Sequence, residues 1–348
     1  MQTRIEVGIL GATGMVGQHF IKFLQGHPWF DLKWLGASDR SAGKKYKDAM
    51  TWHLGVVPDS IKDITVDECK PGNAPRLLFS AMDAGVATDI ERAFAQAGHV
   101  VVSNSRNHRM EADVPLLVPE INADHLKIIP NQQRARGWKG QIVTYPNCST
   151  IVLTMGLAPM KQFGIKKLIV TTLQAISGAG YPGVASMDIV GNVIPFIGGE
   201  EEKMEQETQK IMGDFRGDRI DPLDAKVSAH CNRVAVVDGH TVTVSVEFSA
   251  KPSEADLRNA IDNFRAVPQE RALPSAPPRP VIYMEEANRP QPRKDAERER
   301  GMAAFVGRLR TCPVLDYKFV ALGHNTIRGA AGAAVLNAEL MHSEGMLD

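Results

Sequence analysis

A single cysteine occupies a position suited to nucleophilic chemistry. Cys148 lies between residues 141–145, which are rich in β-branched and aromatic side chains, and the apolar run 150–158. These patterns predict a strand followed by a buried helix, with Ser149 and Thr150 as capping residues. At a helix N-terminus, unpaired N–H groups and the helix dipole favour a thiolate. A lone cysteine can equally be a small buried hydrophobic residue, so the assignment depends on its partners.

Groups that could position a substrate follow the cysteine in the chain. Gln174 ends a predicted strand, 167–174, and the glycine-containing loop 175–180 after it can bring its backbone close to a ligand. Glu200 and Lys203 are three residues apart in a predicted helix, so they share one face and could offer a ligand opposite charges. The same spacing also suits a solvated charged surface.

An arginine and a histidine flank a strong hairpin signal, Asp238-Gly239. A two-residue turn there would pair residue 237 with 240 and residue 233 with 244. Arg233 and His240 would then project from one face of the sheet, about 13 Å apart at ~3.3 Å per residue, with room for a ligand between their tips. A surface histidine is the plain alternative.

The N-terminal region must position these groups, and it carries a dinucleotide-binding pattern. A predicted strand, 4–10, leads into a glycine-rich turn, 11–17, and a predicted helix, 16–24. Such a turn lets the backbone approach a pyrophosphate, which the helix N-terminus then binds. The spacing departs from the G-x-G-x-x-G fingerprint because Ala12 fills the middle place, and a tight turn without a ligand is the alternative.

The loop after the second predicted strand, 31–37, addresses the cofactor type. Asp39 would suit the ribose of NAD, whereas Ser38, Arg40 and Ser41 favour the 2′-phosphate of NADP. Further alternation of strands and helices over 77–103 predicts an α/β fold with a Rossmann-type doubly wound parallel sheet. Residues 104–109 follow a strand's carboxyl end, where Arg106 or Arg109 could meet an anion.

The pattern divides the chain into two domains. We predict an NADP-binding domain over 1–147, completed by a C-terminal helix over 325–348, and an α+β substrate and dimerisation domain over 148–324. Residues 268–293 carry seven prolines and are interpreted as an extended arm that packs against a partner subunit.

Composition excludes several classes of protein. The 348 residues include 40 Lys plus Arg and 40 Asp plus Glu, and this zero net charge argues against a general nucleic-acid or membrane-surface role. Four widely separated cysteines without a C-x-x-C pair predict neither a disulfide framework nor a metal site. The chain opens directly in a strand and has no apolar run of about 18 residues, so we expect a cytoplasmic protein.

With these residues in place, the chain resembles the aspartate-semialdehyde dehydrogenase family, most closely its archaeal and fungal branch. The matching motifs occur in order along nearly the whole chain: residues 11–17, Pro119-Glu120-Ile121-Asn122, residues 146–150, 174–180 and 200–203, Arg233 with Gly239-His240, and residues 325–331.

The resemblance implies a role for each candidate residue. Cys148 would be the nucleophile and the fastest thiol to alkylate, His240 the acid/base, and Gln174 a residue that orients the acyl group. Arg233 would hold the substrate carboxylate and Glu200 its amino group. The phosphate ligands would be Arg109, with Arg106 nearby as an alternative, Asn147 and Lys203. The residues expected to bind NADP are Gly11, Thr13, Gly14, Met15, Val16, Ser38, Arg40, Ser41, Ser177, Gly178 and Asn325.

The implied reaction is the reversible, NADPH-dependent reduction of L-aspartyl-4-phosphate to L-aspartate 4-semialdehyde with release of phosphate, through a thioester on Cys148. The family also implies a homodimer or homotetramer and a place in lysine, methionine and threonine biosynthesis. A malonyl-CoA reductase on the same scaffold is the nearest alternative, and N-acetyl-glutamyl-phosphate reductase is more distant. An NADPH-binding redox sensor would not need both Arg233 and His240.

Overall fold

The computed structural model describes residues 4–347. Two β-sheets organise this part of the chain. A six-stranded, fully parallel sheet has the order β3-β2-β1-β4-β5-β6, and a seven-stranded mixed sheet has the order β13-β14-β15-β12-β7-β11-β8. The strands are β1 Ile5–Leu10, β2 Phe30–Ala37, β3 Asp67–Glu68, β4 Leu77–Ser80, β5 Val100–Ser103, β6 Gln141–Thr144, β7 Ile165–Gln174, β8 Val193–Ile194, β9 Asp214–Phe215, β10 Ile220–Asp221, β11 Lys226–Val234, β12 His240–Phe248, β13 Val281–Met284, β14 Ala304–Thr311 and β15 Tyr317–Gly323.

The helices connect and cover these sheets. The α-helices are α1 Met15–Phe23, α2 Tyr46–Ala49, α3 Ala84–Ala97, α4 Pro119–Asn122, α5 Ile129–Arg136, α6 Cys148–Leu157, α7 Ser186–Ile189, α8 Glu200–Ile211, α9 Glu254–Asn263, α10 Val267–Glu270, α11 Pro292–Asp295 and α12 Gly332–Ser343. Tighter 3₁₀ turns occupy Arg106–His108, Ala123–Ile128, Ala158–Phe163, Ile176–Ala179 and Arg298–Gly301. Within residues 4–347, no helix is long and apolar enough to cross a membrane.

The parallel sheet confirms the predicted Rossmann-type fold. Its strand order is the one found in dinucleotide-binding domains, and strands β4, β5 and β6 are buried along their whole length. Short apolar strands of this kind are typical of a sheet that is covered on both faces. The carboxyl ends of the strands therefore meet along one edge, where ligands of such sheets bind.

The second sheet contradicts the predicted hairpin around Asp238-Gly239. Strands β11 and β12 do not pair with each other, because β7 lies between them, parallel to β11 and antiparallel to β12. Arg233 pairs with Gln174 of β7, and the residue after His240 pairs with Leu173. The Asp238-Gly239 signal depends only on the residues of the turn itself. The longer strand β7 offers both β11 and β12 a full set of backbone hydrogen bonds, which a direct β11–β12 pair would exclude.

The helix that carries the cysteine begins two residues earlier than the predicted run 150–158. Helix α6 starts at Cys148 itself, and the Asn147 side chain caps it by accepting a hydrogen bond from the Ser149 N–H. The predicted capping by Ser149 and Thr150 is therefore wrong. Every residue of α6 after the cysteine is buried, as expected for a helix that is apolar all round and lies between other elements.

The C-terminal segment is also less regular than the single helix predicted over 325–348. A π-helical turn, Ile327–Ala331, precedes α12. The π turn contacts α1 and α6, and α12 contacts β5 and α4, so the segment packs on elements of the N-terminal half.

The proline-rich region is partly ordered into the second sheet. Val281–Met284 forms the edge strand β13, which pairs in parallel with β14. The interpretation of residues 268–293 as one extended arm is therefore wrong for this strand.

Candidate active site

The cysteine and the histidine meet at the centre of the site. Helix α6 begins at Cys148 and strand β12 begins at His240, and the Cys148 Sγ lies 3.1 Å from the His240 Nε2. The Ala175 backbone N–H donates a hydrogen bond of 3.0 Å to the His240 Nδ1. A neutral imidazole that accepts at Nδ1 carries its proton on Nε2, so this ring donates towards the sulfur.

The ionisation of this pair differs from the prediction. The pKa of Cys148 is raised to about 12: burial makes the largest contribution and the Glu200 carboxylate adds to it, while Arg233, Arg109 and the helix N–H group act in the opposite direction. Burial lowers the pKa of His240 to about 3, with Arg233 and His324 adding to the shift. Burial therefore outweighs the helix N-terminus, and the site holds a thiol beside a neutral imidazole.

Strand β7 brings the remaining groups to this pair. Because β11 and β12 flank β7, Arg233 and His240 both lie beside its end at Gln174. The loop that follows passes directly over them: a methyl group at Gly178 would lie 2.9 Å from the Arg233 Nη1 and 2.9 Å from the His240 Cε1. Only glycine fits there, so the backbone can close one side of the site.

Glu200 is the centre of a polar cluster next to the cysteine. Its carboxylate accepts two hydrogen bonds of 2.9 Å from the Asn147 Nδ2, one of 2.8 Å from the Lys203 Nζ and one of 3.2 Å from the Gln174 Nε2. Asn147, Lys203 and Gln174 therefore surround the buried carboxylate of Glu200, and all four are predicted site residues. A ligand ammonium group could join the cluster by displacing Lys203.

Two further residues on α8 belong to the site and were missed by the sequence analysis. Glu207 and Lys210 continue the face of α8 that carries Glu200 and Lys203, one and two helical turns further on. Glu207 contacts Arg109 and the backbone of Asn147, and Lys210 donates to backbone carbonyl groups of the loop after Arg109. Following the 3.6-residue period beyond Lys203 would have identified both.

The two candidate arginines occupy different environments. Arg109 is buried, bonded to Glu207 (2.9 Å) and to the Asn104 carbonyl (2.7 Å), and its Nε has no hydrogen-bond partner among the described residues. Arg106 is exposed. Both line the cavity that also contains Cys148 and Lys203, and together they make this end of the cavity strongly cationic.

Two adjoining cavities extend from the cysteine to the glycine-rich turn. The first, of about 480 Å³, contains Cys148, and the second, of about 780 Å³, lies at the carboxyl ends of β1 and β2; Met82 and Asp83 line both. The candidate cofactor residues in the first are Met15, Val16, Ser177, Gly178 and Asn325, and those in the second are Gly11, Thr13, Gly14, Ser38 and Arg40. Ser41 lies apart from both, buried against the Ala49 carbonyl.

The glycine-rich turn has the geometry that a pyrophosphate needs. Gly11 has φ +78°, and a Cβ there would lie 2.7 Å from the Ala81 carbonyl oxygen; a Cβ at Gly17 would lie 2.5 Å from the Gly11 carbonyl oxygen. Gly14 is the N-cap residue of α1 and supplies no side-chain cap, so the first N–H groups of the helix remain available to an anion. The residues present therefore fit a dinucleotide.

Asn325 ties the cofactor side of the site to the catalytic side. Its Oδ1 accepts a hydrogen bond of 2.8 Å from the Gly239 N–H, and its Nδ2 donates one of 2.7 Å to the Ser177 hydroxyl. Close by, a Cβ at Gly329 would lie 2.7 Å from the Cys148 Cβ. The C-terminal segment thus packs directly against the base of the nucleophile.

Sequence comparison identifies both halves of the chain. Residues 6–129 match the family profile of the semialdehyde dehydrogenase NAD binding domain, and residues 157–328 match that of the semialdehyde dehydrogenase dimerisation domain. An aspartate-semialdehyde dehydrogenase of Archaeoglobus fulgidus is 48% identical over 99% of this chain and 100% of its own length. That of Saccharomyces cerevisiae is 46% identical, with 98% of each chain covered.

Solved structures give the same result. The crystal structure of aspartate semialdehyde dehydrogenase with NADP from Candida albicans matches with a TM-score of 0.92 and 43% identity, covering 99% of this chain and 100% of that one. Aspartate semialdehyde dehydrogenase II of Vibrio cholerae, complexed with ASA, matches with a TM-score of 0.78 and 26% identity over 99% of each chain. The chain therefore belongs to the aspartate-semialdehyde dehydrogenase family.

Proposed function

We propose that the protein reduces L-aspartyl-4-phosphate to L-aspartate 4-semialdehyde with NADPH and releases phosphate, through a thioester on Cys148. The observation that carries this proposal is the Cys148–His240 contact of 3.1 Å, located between a dinucleotide-shaped cavity and the charged cluster around Glu200. The reaction would contribute to lysine, methionine and threonine biosynthesis. The related proteins described above do not support the malonyl-CoA reductase alternative.

The charged groups match the substrate group by group. Arg233 donates to the Ala175 carbonyl through Nη1 (2.7 Å), which fixes the guanidinium and leaves other N–H groups for the substrate carboxylate. Glu200 is proposed to bind the amino group, while Arg109, Asn147 and Lys203 bind the phosphate. Malonyl-CoA has no amino group that would use Glu200.

The covalent steps begin at Cys148. Cys148 loses its thiol proton and forms a C–S bond to the acyl carbon, and the C–O bond to phosphate breaks with its electron pair leaving on phosphate, which takes up that proton. When bound, NADPH supplies the hydride that reduces the thioester carbon. The resulting alkoxide expels the Cys148 thiolate as the C–S bond breaks, which frees the aldehyde and restores the nucleophile.

Thiol ionisation and substrate binding are linked in this scheme. Burial makes the largest contribution to the raised pKa of Cys148, and the negative charge of Glu200 makes the second largest. A substrate ammonium group bound at Glu200 would offset this negative charge. Substrate binding therefore favours the thiolate. We retain His240 as the acid/base residue acting through Nε2, and its resting hydrogen bonds prepare it to donate to the sulfur and to the alkoxide oxygen.

NADP is proposed to lie along the two adjoining cavities. The N–H groups at the start of α1 would bind the pyrophosphate, and Ser38 and Arg40 would bind the 2′-phosphate. Asn325 and the loop at Ser177 and Gly178 would hold the nicotinamide end. Ser41 contributes by ordering the loop, since its N–H donates to the Ser38 carbonyl (2.8 Å).

The assembly is proposed to be a homodimer or homotetramer in the cytoplasm. The central strand β7 leaves Ile169 and Leu173 exposed, and the nearby segment exposes Met187 and Phe196. Apolar side chains grouped on one sheet face favour a protein–protein contact, as the dimerisation-domain profile does. Four free thiols are consistent with a reducing compartment.

The test is phosphate-dependent reduction of NADP by the purified protein with aspartate semialdehyde, followed by NADPH absorbance. Turnover that requires both phosphate and the aldehyde supports the proposal, and Cys148→Ala should abolish it. If the protein instead reduced malonyl-CoA faster than it turned over aspartate semialdehyde, the function would have to be reassigned.

A further inference from the structure

The buried carboxylate of Glu207 joins two parts of the site. Glu207 is 1% exposed. Its Oε1 accepts a hydrogen bond of 2.9 Å from the Arg109 Nη1, and its Oε2 accepts one of 2.7 Å from the Asn147 backbone N–H. One side chain therefore contacts both the candidate phosphate arginine and the residue directly before the nucleophile.

Each contact restrains a different functional group. Asn147 is the N-cap residue of α6, so fixing its N–H fixes the start of the helix and with it Cys148. The Arg109 guanidinium is held between Glu207 and the Asn104 carbonyl, and Arg109 lines the cavity that contains Cys148. The carboxylate thus determines how far the arginine lies from the cysteine.

Lys210, one turn further along α8, holds the backbone of the same arginine. Its Nζ donates to the carbonyl groups of Arg109 (2.7 Å), Glu111 (2.7 Å) and Val114 (2.8 Å). Helix α8 therefore binds Arg109 at both ends, with Glu207 at the guanidinium and Lys210 at the main chain. The same helix carries Glu200 and Lys203, so one rigid element positions Glu200, Lys203 and Arg109 relative to each other.

We propose that Glu207 is a positioning residue that sets the phosphate-binding guanidinium of Arg109 relative to Cys148. This inference rests on the proposed function, because it assigns Glu207 to the phosphate-dependent step. In that step the phosphate oxygen must leave, or in reverse attack, while the carbonyl carbon is bound to Sγ, so a small displacement of Arg109 is costly.

The test compares Glu207→Gln with wild type in the oxidative assay. Glutamine keeps the shape of the side chain but has only one acceptor oxygen. Either the Arg109 guanidinium or the Asn147 N–H therefore faces the amide NH₂ group of the glutamine instead of an acceptor. We expect kcat/KM for phosphate to fall about 10-fold or more, with KM for NADP within about twofold of wild type. Glu202→Gln, an exposed position on the same helix, is the control and should match wild type in both constants.

A double-mutant cycle separates positioning from general weakening. In an Arg109→Lys background, adding Glu207→Gln should change kcat/KM for phosphate by less than about threefold, because the guanidinium that Glu207 positions is already gone and the glutamine oxygen can still accept from the Asn147 N–H. A full, additive loss in that background would overturn the proposal. So would an unchanged kcat/KM for phosphate in Glu207→Gln.

A second variant serves as the control for a failure of Glu207→Gln to fold. Glu207→Asp keeps the charge but is one methylene shorter and cannot reach both donors, so it should show the same selective loss if Glu207→Gln does not fold. Failure of both variants to fold would assign Glu207 to stability alone and overturn the proposal. A wild-type protein without phosphate-dependent turnover would refute the proposed function itself, whereas an active wild type with normal Glu207 variants would refute only this inference.

Discussion

At the scale of single residues, Cys148 and His240 show how strongly burial controls chemistry. The sequence correctly indicates a cysteine at a helix start, and a helix N-terminus does favour a thiolate. Burial and Glu200 nevertheless raise the pKa of Cys148 to about 12. The charges that act on this pKa, Glu200, Arg233 and Arg109, lie far from Cys148 in the chain, and no local pattern of residues around the cysteine describes them.

Alkylation of the substrate-free enzyme should follow this raised pKa. Because only the thiolate reacts, the rate at Cys148 should rise about tenfold per pH unit from pH 7 to pH 10, without a plateau near neutrality. The half-buried Cys312, whose pKa is lowered by the Leu315 N–H, should be labelled first at pH 7. This reverses the order expected from the family resemblance. Iodoacetamide labelling read by peptide mass spectrometry checks it, and a plateau for Cys148 below pH 8 would contradict it.

The hydrogen bonds of His240 predict a difference between two substitutions. His240→Ala removes the Nε2–H donor and should lower kcat by about 10²-fold. His240→Gln places an amide N–H close to the same position but cannot exchange a proton. Since Nδ1 already accepts from Ala175, donation is the function that this ring is prepared for. We therefore expect His240→Gln to retain about 10-fold more activity than His240→Ala in steady-state assays.

Equal activity of the two His240 variants would show that proton uptake, rather than donation, limits the reaction. The pH profile gives an independent check. With its pKa lowered to about 3, His240 stays neutral above pH 5, so kcat/KM, which reports the free enzyme, should show no acidic limb near pH 6.5 from this ring.

At the scale of elements, the sequence predicts strands and helices better than it predicts their neighbours. The central strand β7 and helix α8 were both found within a few residues. The hairpin at Asp238-Gly239 was wrong because β7, about 60 residues earlier, pairs with both β11 and β12. The predicted separation of about 13 Å between Arg233 and His240 was wrong as well, because both residues lie beside the end of β7 and both side chains approach Gly178 closely, each 2.9 Å from the position of a Cβ there.

A buried ion pair joins two elements that are far apart in the chain. Arg328 in the π turn donates to both carboxylate oxygens of Glu120 in α4, at 2.8 and 2.5 Å, and both residues are buried. Arg328→Met should lower the free energy of unfolding by about 3–5 kcal/mol, because it leaves a buried carboxylate without its partner. Urea denaturation measures this loss.

The matching double variant separates the unpaired charge from lost packing. Arg328→Met with Glu120→Gln removes the charge as well as its partner, so it should be more stable than Arg328→Met alone. A double variant no more stable than the single one would show that packing of the arginine, not the unpaired carboxylate, dominates.

At the scale of the whole molecule, the C-terminal segment connects the two halves. We propose that residues 325–348 complete the NADP-binding domain of residues 1–147, with 148–324 as the substrate domain. Contacts of the π turn with α1, and of α12 with β5 and α4, support this division. The alternation of strands and helices predicted the N-terminal domain. Because α12 is apolar on all sides, its sequence does not indicate which elements it packs against.

Glu339 in α12 is the point where three regions meet. It is buried and accepts hydrogen bonds from the His27 Nε2 (2.7 Å), the Ser275 N–H (3.0 Å) and the Ser275 hydroxyl (2.6 Å). His27 belongs to the N-terminal domain and Ser275 to the proline-rich region. The His27 Nδ1 accepts from the Trp29 and Phe30 N–H groups, so its proton lies on Nε2, directed at the carboxylate.

Glu339→Gln should therefore destabilise the whole molecule rather than one half of it. The amide offers fewer acceptor sites and directs an N–H group at existing donors, so the free energy of unfolding should fall by about 2–3 kcal/mol. The control is Glu344→Gln, which breaks the exposed pair with Arg271 (2.7 Å) and should cost less than about 1 kcal/mol. Urea unfolding followed separately by circular dichroism and by loss of NADP binding should give coincident midpoints in both variants. Two separated transitions, or a Glu339 variant no weaker than its control, would mean that the halves are joined elsewhere.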